Sequence, residues 1–217
     1  MKNTVLPFLL FTFLLTFVSC EKEALDAPLS TQEPSAFSMA MAKETIVFHV
    51  SRKDIATGMQ TGFIIDNNGR IKTYLLSKEQ AAALPSGRPW PENAINYLNG
   101  RATNIAGSVP EAELITYYKK ILPASGGSLS SVLFNVNDAP DYTLTFQAFV
   151  AREKTDYATG GHNSGGTCGS SGEQAITTTV HTPYLLAREG QEQQLNEHPD
   201  AQLIVQWLRV LMSDAGL

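Results

Sequence analysis

The chain has 217 residues, of which 43% are hydrophobic and 17% charged; it can form a globular core and is not typical of a disordered or fibrous protein. Its formal net charge is −5 at pH 7, and this acidic balance argues against nucleic-acid binding, which requires a basic surface. The same balance argues against broad electrostatic attachment to anionic lipids.

The first 20 residues have the three parts of an export signal. A lysine stands at position 2, an apolar run occupies residues 5–18, and a serine precedes Cys20. The apolar run is shorter than the roughly 20 residues that span a bilayer, so we expect a cleaved signal and not a transmembrane helix. Residues 17–20, Phe-Val-Ser-Cys, resemble the lipobox of bacterial lipoproteins, although that motif usually has leucine where Phe17 stands.

This resemblance implies that Cys20 is lipidated and becomes the mature N-terminus. It divides the chain into a signal peptide (residues 1–19), the lipidated cysteine with a flexible tether (20–43) and a single globular domain (44–217). It also implies export and attachment to a membrane through the lipid on Cys20. The outer membrane is the expected location, with the domain facing either the periplasm or the cell surface.

Two further features of the sequence bear on the anchor. Residues 21–23, Glu-Lys-Glu, are similar to an acidic signal that sends some Gram-negative lipoproteins to the outer surface; a solvated tether would have the same composition. The chain has only two cysteines, Cys20 and Cys168, so lipidation of the first leaves one thiol. We therefore expect a domain without an internal disulfide.

The domain begins with patterns that are typical of strands. Residues 45–51 alternate, which predicts a strand with one face formed by Ile46, Phe48 and Val50. Residues 62–66 and 70–76 flank an Asn-Asn-Gly sequence, and its Asn-Gly pair favours a tight turn. These two segments are predicted to form a β-hairpin.

Helical patterns follow. A Ser-x-x-Gln capping box predicts a helix over residues 77–84, and a second short helix is predicted over 91–98. A capping box from Ser108 to Glu111 predicts a longer helix over 109–122, which Pro123 should end.

The second half of the chain returns to strand patterns. Residues 131–137 and 142–152 are predicted strands, and the turn residues between them predict a second hairpin. Residues 175–182 form another strand candidate. An amphipathic helix is predicted over 199–212.

The order of these elements indicates the fold class. Strands and helices are grouped and do not alternate strictly, which favours an α+β fold with a largely antiparallel sheet. The sheet is expected to contain two hairpins and a further strand. The C-terminal amphipathic helix and two or three other helices should pack against it.

The glycine-rich loop over residues 160–172 is the most unusual stretch of the domain, and a plain surface loop is one interpretation of it. A hydrolase is a second interpretation, with Cys168 or Ser164 as nucleophile and His162 or His181 as base. The cations that would stabilise a thiolate are not evident nearby. The spacing of these residues matches no usual zinc motif, so neither a metal nor a cofactor is predicted.

A second candidate is a loop bounded by prolines that contains Arg88 and Trp90. Exposed tryptophan and arginine side chains often contact sugars or partner proteins, so these two are candidate binding residues. A tryptophan that packs against the edge of the core is the alternative.

Taken together, the sequence predicts a lipid-anchored envelope or cell-surface lipoprotein whose domain is non-enzymatic and binds a partner. That partner would be a protein or a carbohydrate. A hydrolase using the loop at 160–172 and a purely structural envelope component remain alternatives.

The lipid anchor gives a first testable prediction. Because the acyl chains on Cys20 should hold the protein at the membrane, mass spectrometry of the mature N-terminus should find a diacylglyceryl cysteine. A Cys20→Ala variant should be released from membranes by washing at high salt. Firm retention of a processed Cys20→Ala protein would contradict the anchor.

Overall fold

The computed structural model of the protein describes residues 45–87, 89–133, 140–157 and 175–216. All of them fall in one compact unit. The strands are β1 Ile46–Asp54, β2 Gln60–Asp66, β3 Arg70–Leu76, β4 Trp90–Pro91, β5 Asn104–Ser108, β6 Leu129–Leu133, β7 Tyr142–Tyr157, β8 Ala175–Glu189 and β9 Glu192–Asn196. The helices are α1 Lys78–Ala82, α2 Glu92–Arg101, α3 Glu111–Tyr118, α4 Ile121–Ser125 and α5 Pro199–Asp214.

The described strands form one antiparallel sheet in the order β5-β3-β2-β1-β7-β8-β9-β6, and the short β4 pairs with β8 outside this order. This architecture confirms the predicted α+β fold with an antiparallel sheet. Of the described helices, none has the length and apolar character needed to cross a membrane.

The β2–β3 hairpin is confirmed, and its turn explains the Asn-Gly sequence. Gly69 has a φ of 77°, a left-handed conformation that glycine adopts at little cost. The carboxylate of Asp66 accepts hydrogen bonds from the backbone N–H groups of Asn68 and Arg70, at 2.9 and 3.0 Å. The same carboxylate pairs with the side chains of Arg70 and Lys72. Hydrogen bonds and ion pairs within residues 66–72 therefore stabilise the turn.

The sheet is covered on both faces. On one face, α3, α4 and α5 pack against β1, β2 and β7, and the buried residues there include Phe48, Phe63, Phe146, Ile204 and Trp207. On the other face, α2 and the segment around β4 cover part of β1, β2, β3 and β7. This second cluster contains Ile64, Tyr74, Trp90, Ile95 and Phe149.

The C-terminal helix α5 matches its predicted position. Trp207 packs edge-on against Phe48, with ring centroids 5.2 Å apart, and stacks on Tyr117 at 4.1 Å. Its indole N–H donates to the Glu113 carboxylate at 2.6 Å. The helix thus joins the sheet to α3.

Two predictions about β1 and the helices need correction. The register of β1 shifts between Ile46 and Phe48, so these residues do not share a face: Ile46 lies in the second cluster and Phe48 in the first.

The helix predicted over 109–122 is two helices, and Pro123 lies inside the second. The N-cap residue of α3 is Pro110, whose side chain cannot make a capping hydrogen bond. The capping box predicted at Ser108 is therefore absent.

The predicted second hairpin is also wrong. β6 pairs with β9, whose residues lie 59–67 positions further along the chain, and β7 pairs with β8 over most of their length. The turn residues before β7 therefore do not join two adjacent strands. The Ala175–Glu189 strand is longer than the sequence predicts, and β5 and β9 are strands that the sequence did not indicate.

Gly62 lies where three strands come close together. It pairs with Ser51 of β1 and Tyr74 of β3. A Cβ atom at this position would overlap the carbonyl oxygen of Val50 and would lie 2.7 Å from the Tyr74 hydroxyl. Only glycine leaves room for the Tyr74 side chain to cross β2.

We therefore expect Gly62→Ala to lower the free energy of unfolding by about 1–3 kcal/mol, because the added methyl group overpacks the sheet. Urea denaturation measures this change. Gly100→Ala is the matched control: it lies in α2 with open space around the added atom and should stabilise the protein by about 0.5–1 kcal/mol. Equal effects at both positions would contradict the crowding at Gly62.

Candidate functional site

A stripe of polar side chains crosses one face of the sheet. On β1, His49, Ser51 and Lys53 are spaced two residues apart, so they point to the same side of the sheet. The β1–β7 register places a polar residue of β7 opposite each of them. These pairs are His49 with Gln147, Ser51 with Thr145 and Lys53 with Thr143.

A cavity of about 490 Å³ lies over this stripe. The stripe forms its floor, together with Gln60 of β2. The end of α1 and residues 84–87 form one wall, and Arg188, Gln191 and Glu192 near the β8–β9 turn form another. Trp90 also lines the cavity. We call this cavity the polar cleft.

A chain of hydrogen bonds runs beneath the polar cleft. The Nδ1 of His49 donates to the amide oxygen of Gln147 at 3.2 Å, which leaves Nε2 to accept from the hydroxyl of Tyr74 at 2.6 Å. The Tyr74 oxygen in turn accepts from the amide nitrogen of Gln60 at 3.1 Å. Both ring nitrogens of His49 are therefore occupied by protein groups.

Burial sets the charge states of His49 and Tyr74. His49 is only 2% exposed, and burial lowers its pKa from 6.5 to about 4, with the Gln147 hydrogen bond opposing the shift. Burial also raises the pKa of Tyr74 above its usual value. Both groups are neutral at pH 7, so the floor of the cleft carries no charge beneath Lys53.

Trp90 is not the exposed aromatic residue that the binding interpretation required, because its side chain is 2% exposed. β4 pairs with β8, and this pairing turns the indole into the second core cluster. There it packs edge-on against Phe149 at 5.1 Å and His49 at 5.9 Å. A ligand cannot stack on a ring that is covered in this way.

The indole N–H of Trp90 nevertheless has a feature that the other tryptophan lacks. Trp207 donates its N–H to Glu113, whereas the buried Nε1 of Trp90 has no hydrogen-bond partner among the described residues. Buried polar groups are usually paired, and an unpaired one requires an explanation. The Nε1 atom itself is inaccessible to solvent, so the unpaired N–H is a feature of the core and not a contact for a molecule in the polar cleft. Arg88, the other residue predicted for this site, lies outside the described residues.

Most of the predicted hydrolase residues also lie outside the described part of the chain, namely His162, Ser164 and Cys168, as does Cys20. His181 is described and lies on β8 opposite Trp90. Its Nδ1 is 3.0 Å from the Thr45 hydroxyl, and burial lowers its pKa, with Glu92 opposing. Within the described residues, no group of three or more His, Cys, Asp or Glu side chains is arranged to hold a metal ion.

A second cavity, of about 330 Å³, lies on the opposite side of β1. Val50, Phe63, Leu144 and Met212 contribute to its lining. The guanidinium of Arg52, which also lines it, sits 4.3 Å from the centre of the Tyr142 ring. This cavity lacks the convergent polar groups of the polar cleft, so the polar cleft is the stronger candidate site.

Of the residues that line the polar cleft, the sequence singled out only Trp90. A signal for the others was present, because polar residues recur at every second position over residues 49–53 of β1 and 143–147 of β7. The sequence could not show that these strands are neighbours.

Comparison of the chain with protein-family models, with curated proteins and with solved structures gives no match. The function must therefore be argued from the geometry of the polar cleft.

The low pKa of His49 predicts a pH dependence of stability. Because the unfolded chain takes up a proton on this histidine more readily than the folded chain, the stability is complete above pH 6.5 and falls as the pH drops towards 4. A shift of this size corresponds to about 3 kcal/mol. Denaturant titrations between pH 7 and pH 4 should show this loss.

The loss should be much smaller in a His49→Gln variant, which has no titrating group at this position. A His198→Gln variant, altered at the half-buried histidine that caps α5, serves as the control, and its pH profile of stability should stay close to that of wild type. If wild type and His49→Gln lose stability in parallel as the pH falls, His49 is not the source of the pH dependence.

Proposed function

We propose that the protein is an exported lipoprotein, anchored through Cys20, whose globular domain binds a small polar ligand in the polar cleft. The observation that carries this proposal is the stripe of polar side chains at the centre of the sheet, on strands whose other side chains are largely buried in the two core clusters. Such positions normally hold apolar residues, since a buried polar group without a partner costs roughly 1–3 kcal/mol.

The dimensions and lining of the cleft support a small molecule as the ligand. Its volume of about 490 Å³ lies within the range of about 300–1,000 Å³ that is typical of ligand pockets. Hydroxyl, amide and charged groups converge on it from β1, β7 and β8. This lining suits a ligand with several hydrogen-bonding groups, such as a carbohydrate.

The low pKa and the hydrogen bonds of His49 favour ligand binding over acid–base catalysis in this cleft. A general base works best with a pKa near the operating pH and with a free nitrogen directed at the substrate. His49 has a pKa of about 4, and both of its ring nitrogens are hydrogen-bonded within the protein. Its role is to hold the floor of the cleft rigid.

A variant that blocks the cleft tests the proposal. The side chain of Thr145 lies on the floor, so Thr145→Trp should fill part of the cavity without disturbing the core on the other face. Thr155→Trp is the matched control, because it places the same side chain at an exposed position of the same strand.

Saturation-transfer NMR with a panel of sugars, sugar acids, sugar phosphates and amino acids provides the measurement. We expect at least one compound to bind wild type and Thr155→Trp, and to lose at least tenfold in affinity with Thr145→Trp. Circular dichroism should show that all three proteins are folded. Binding that is unchanged in Thr145→Trp, or no binding by any compound, would contradict the proposal.

A further inference from the structure

We infer that the ligand of the polar cleft carries an anionic group, a carboxylate or a phosphate, and that Lys53 and Arg188 hold it. This inference rests on the proposed function and specifies the chemistry of the ligand.

The sheet register places the two cations on either side of β7. Lys53 of β1 pairs with Thr143, and Arg188 of β8 pairs with Thr145, two residues further along the same strand. Neighbouring strands are about 4.8 Å apart, so the backbones of β1 and β8 are separated by about 10 Å at this point. Both residues line the polar cleft, and their long side chains can reach a common ligand above the two threonines.

Neither cation is neutralised within the described part of the chain. The ion pairs there use Arg70, Lys72, Lys120 and Arg209, and no described acidic group lies within ion-pair distance of Lys53 or Arg188. Unpaired cations are common on protein surfaces, and what distinguishes these two is that both line the polar cleft. An anion would supply the missing countercharge.

One acidic residue, Glu192, also lines the cleft. Its carboxylate accepts a hydrogen bond from the Gln194 amide at 2.9 Å, so it is held on the β9 side. The charged residues of the lining therefore sum to two positive and one negative. The cleft keeps a net positive charge, since His49 beneath it is neutral.

The two cations supply the cleft with several hydrogen-bond donors. Lysine and arginine side chains can donate hydrogen bonds but cannot accept them. The threonine hydroxyls between the cations can donate as well. A carboxylate or a phosphate is rich in acceptors and is the natural complement to such a set.

Carboxylate and phosphate share this chemistry, and matched probes on one sugar ring distinguish them. Galactose is the neutral probe, galacturonate carries a carboxylate, galactose 1-phosphate carries a phosphate, and inorganic phosphate tests the anion alone. Isothermal titration of the full lipidated chain in detergent, at low salt, measures each affinity. We expect one anionic sugar to bind at least tenfold more tightly than galactose.

Charge-removing variants then assign the two cations. Arg188→Gln and Lys53→Gln should each weaken binding of the anionic probe several-fold to tenfold, and together they should abolish the preference over galactose. Lys119→Gln, which removes the same charge from an exposed position at the end of α3, should change nothing. Thermal denaturation of each variant confirms that it is folded.

The outcomes separate this inference from the function that it extends. If galactose binds as tightly as the anionic probes and Thr145→Trp still blocks it, the anion inference fails while the binding function stands. If anionic probes bind equally well to wild type and to the double variant, the inference also fails. If none of the probes and none of the wider panel binds, both the inference and the proposed function fail.

Discussion

Coverage of the sheet on both faces is the constraint from which the rest of the structure follows. With helices on one side and the β4 region on the other, the central strands have no face that is freely open to water. Polar side chains at these positions must find partners inside the protein or line a cleft. The hydrogen-bonded chain of His49, Tyr74, Gln60 and Gln147 satisfies the deepest of them, and the polar cleft accommodates the others.

This arrangement links packing to electrostatics. Tyr74 reaches His49 only because Gly62 leaves space on β2, and burial keeps the histidine in its neutral form beneath the cleft. A charged imidazole at this depth would be desolvated and would also repel Lys53. Because the floor is neutral, the two cations in the cleft are not repelled by a third positive charge on His49 beneath them.

The sequence was sufficient for features that depend on local chemistry. The Asn-Gly turn and the capping box at Ser77 form as predicted, because their hydrogen bonds join residues that are at most four apart. The α+β class and the C-terminal helix followed from hydrophobic periodicity. The break between α3 and α4 did not, since the apolar spacing continues through Lys119 and Lys120 although the helix does not.

The pairing of strands that are distant along the chain could not be predicted from the sequence. The β6–β9 pair joins residues 59–67 positions apart, and His49 meets Gln147 across 98 positions. No local pattern specifies such partners. The sequence therefore directed attention to Trp90 for its residue type, although the β4–β8 pairing buries it, and gave no sign that His49 meets Gln147.

The two cations of the cleft are not equivalent, and their difference bears on how a ligand would be selected. Lys53 is exposed near the end of β1, where its attraction is screened by salt over about 8 Å at physiological ionic strength. Arg188 is half-buried on an interior strand, and its planar guanidinium can bind two oxygens of one anion in a fixed geometry. Lysine thus contributes mainly to attraction, whereas arginine contributes orientation. Selectivity between a carboxylate and a phosphate should therefore depend on Arg188 and on the threonine hydroxyls beside it, because these groups respond to the shape of the anion and not only to its charge.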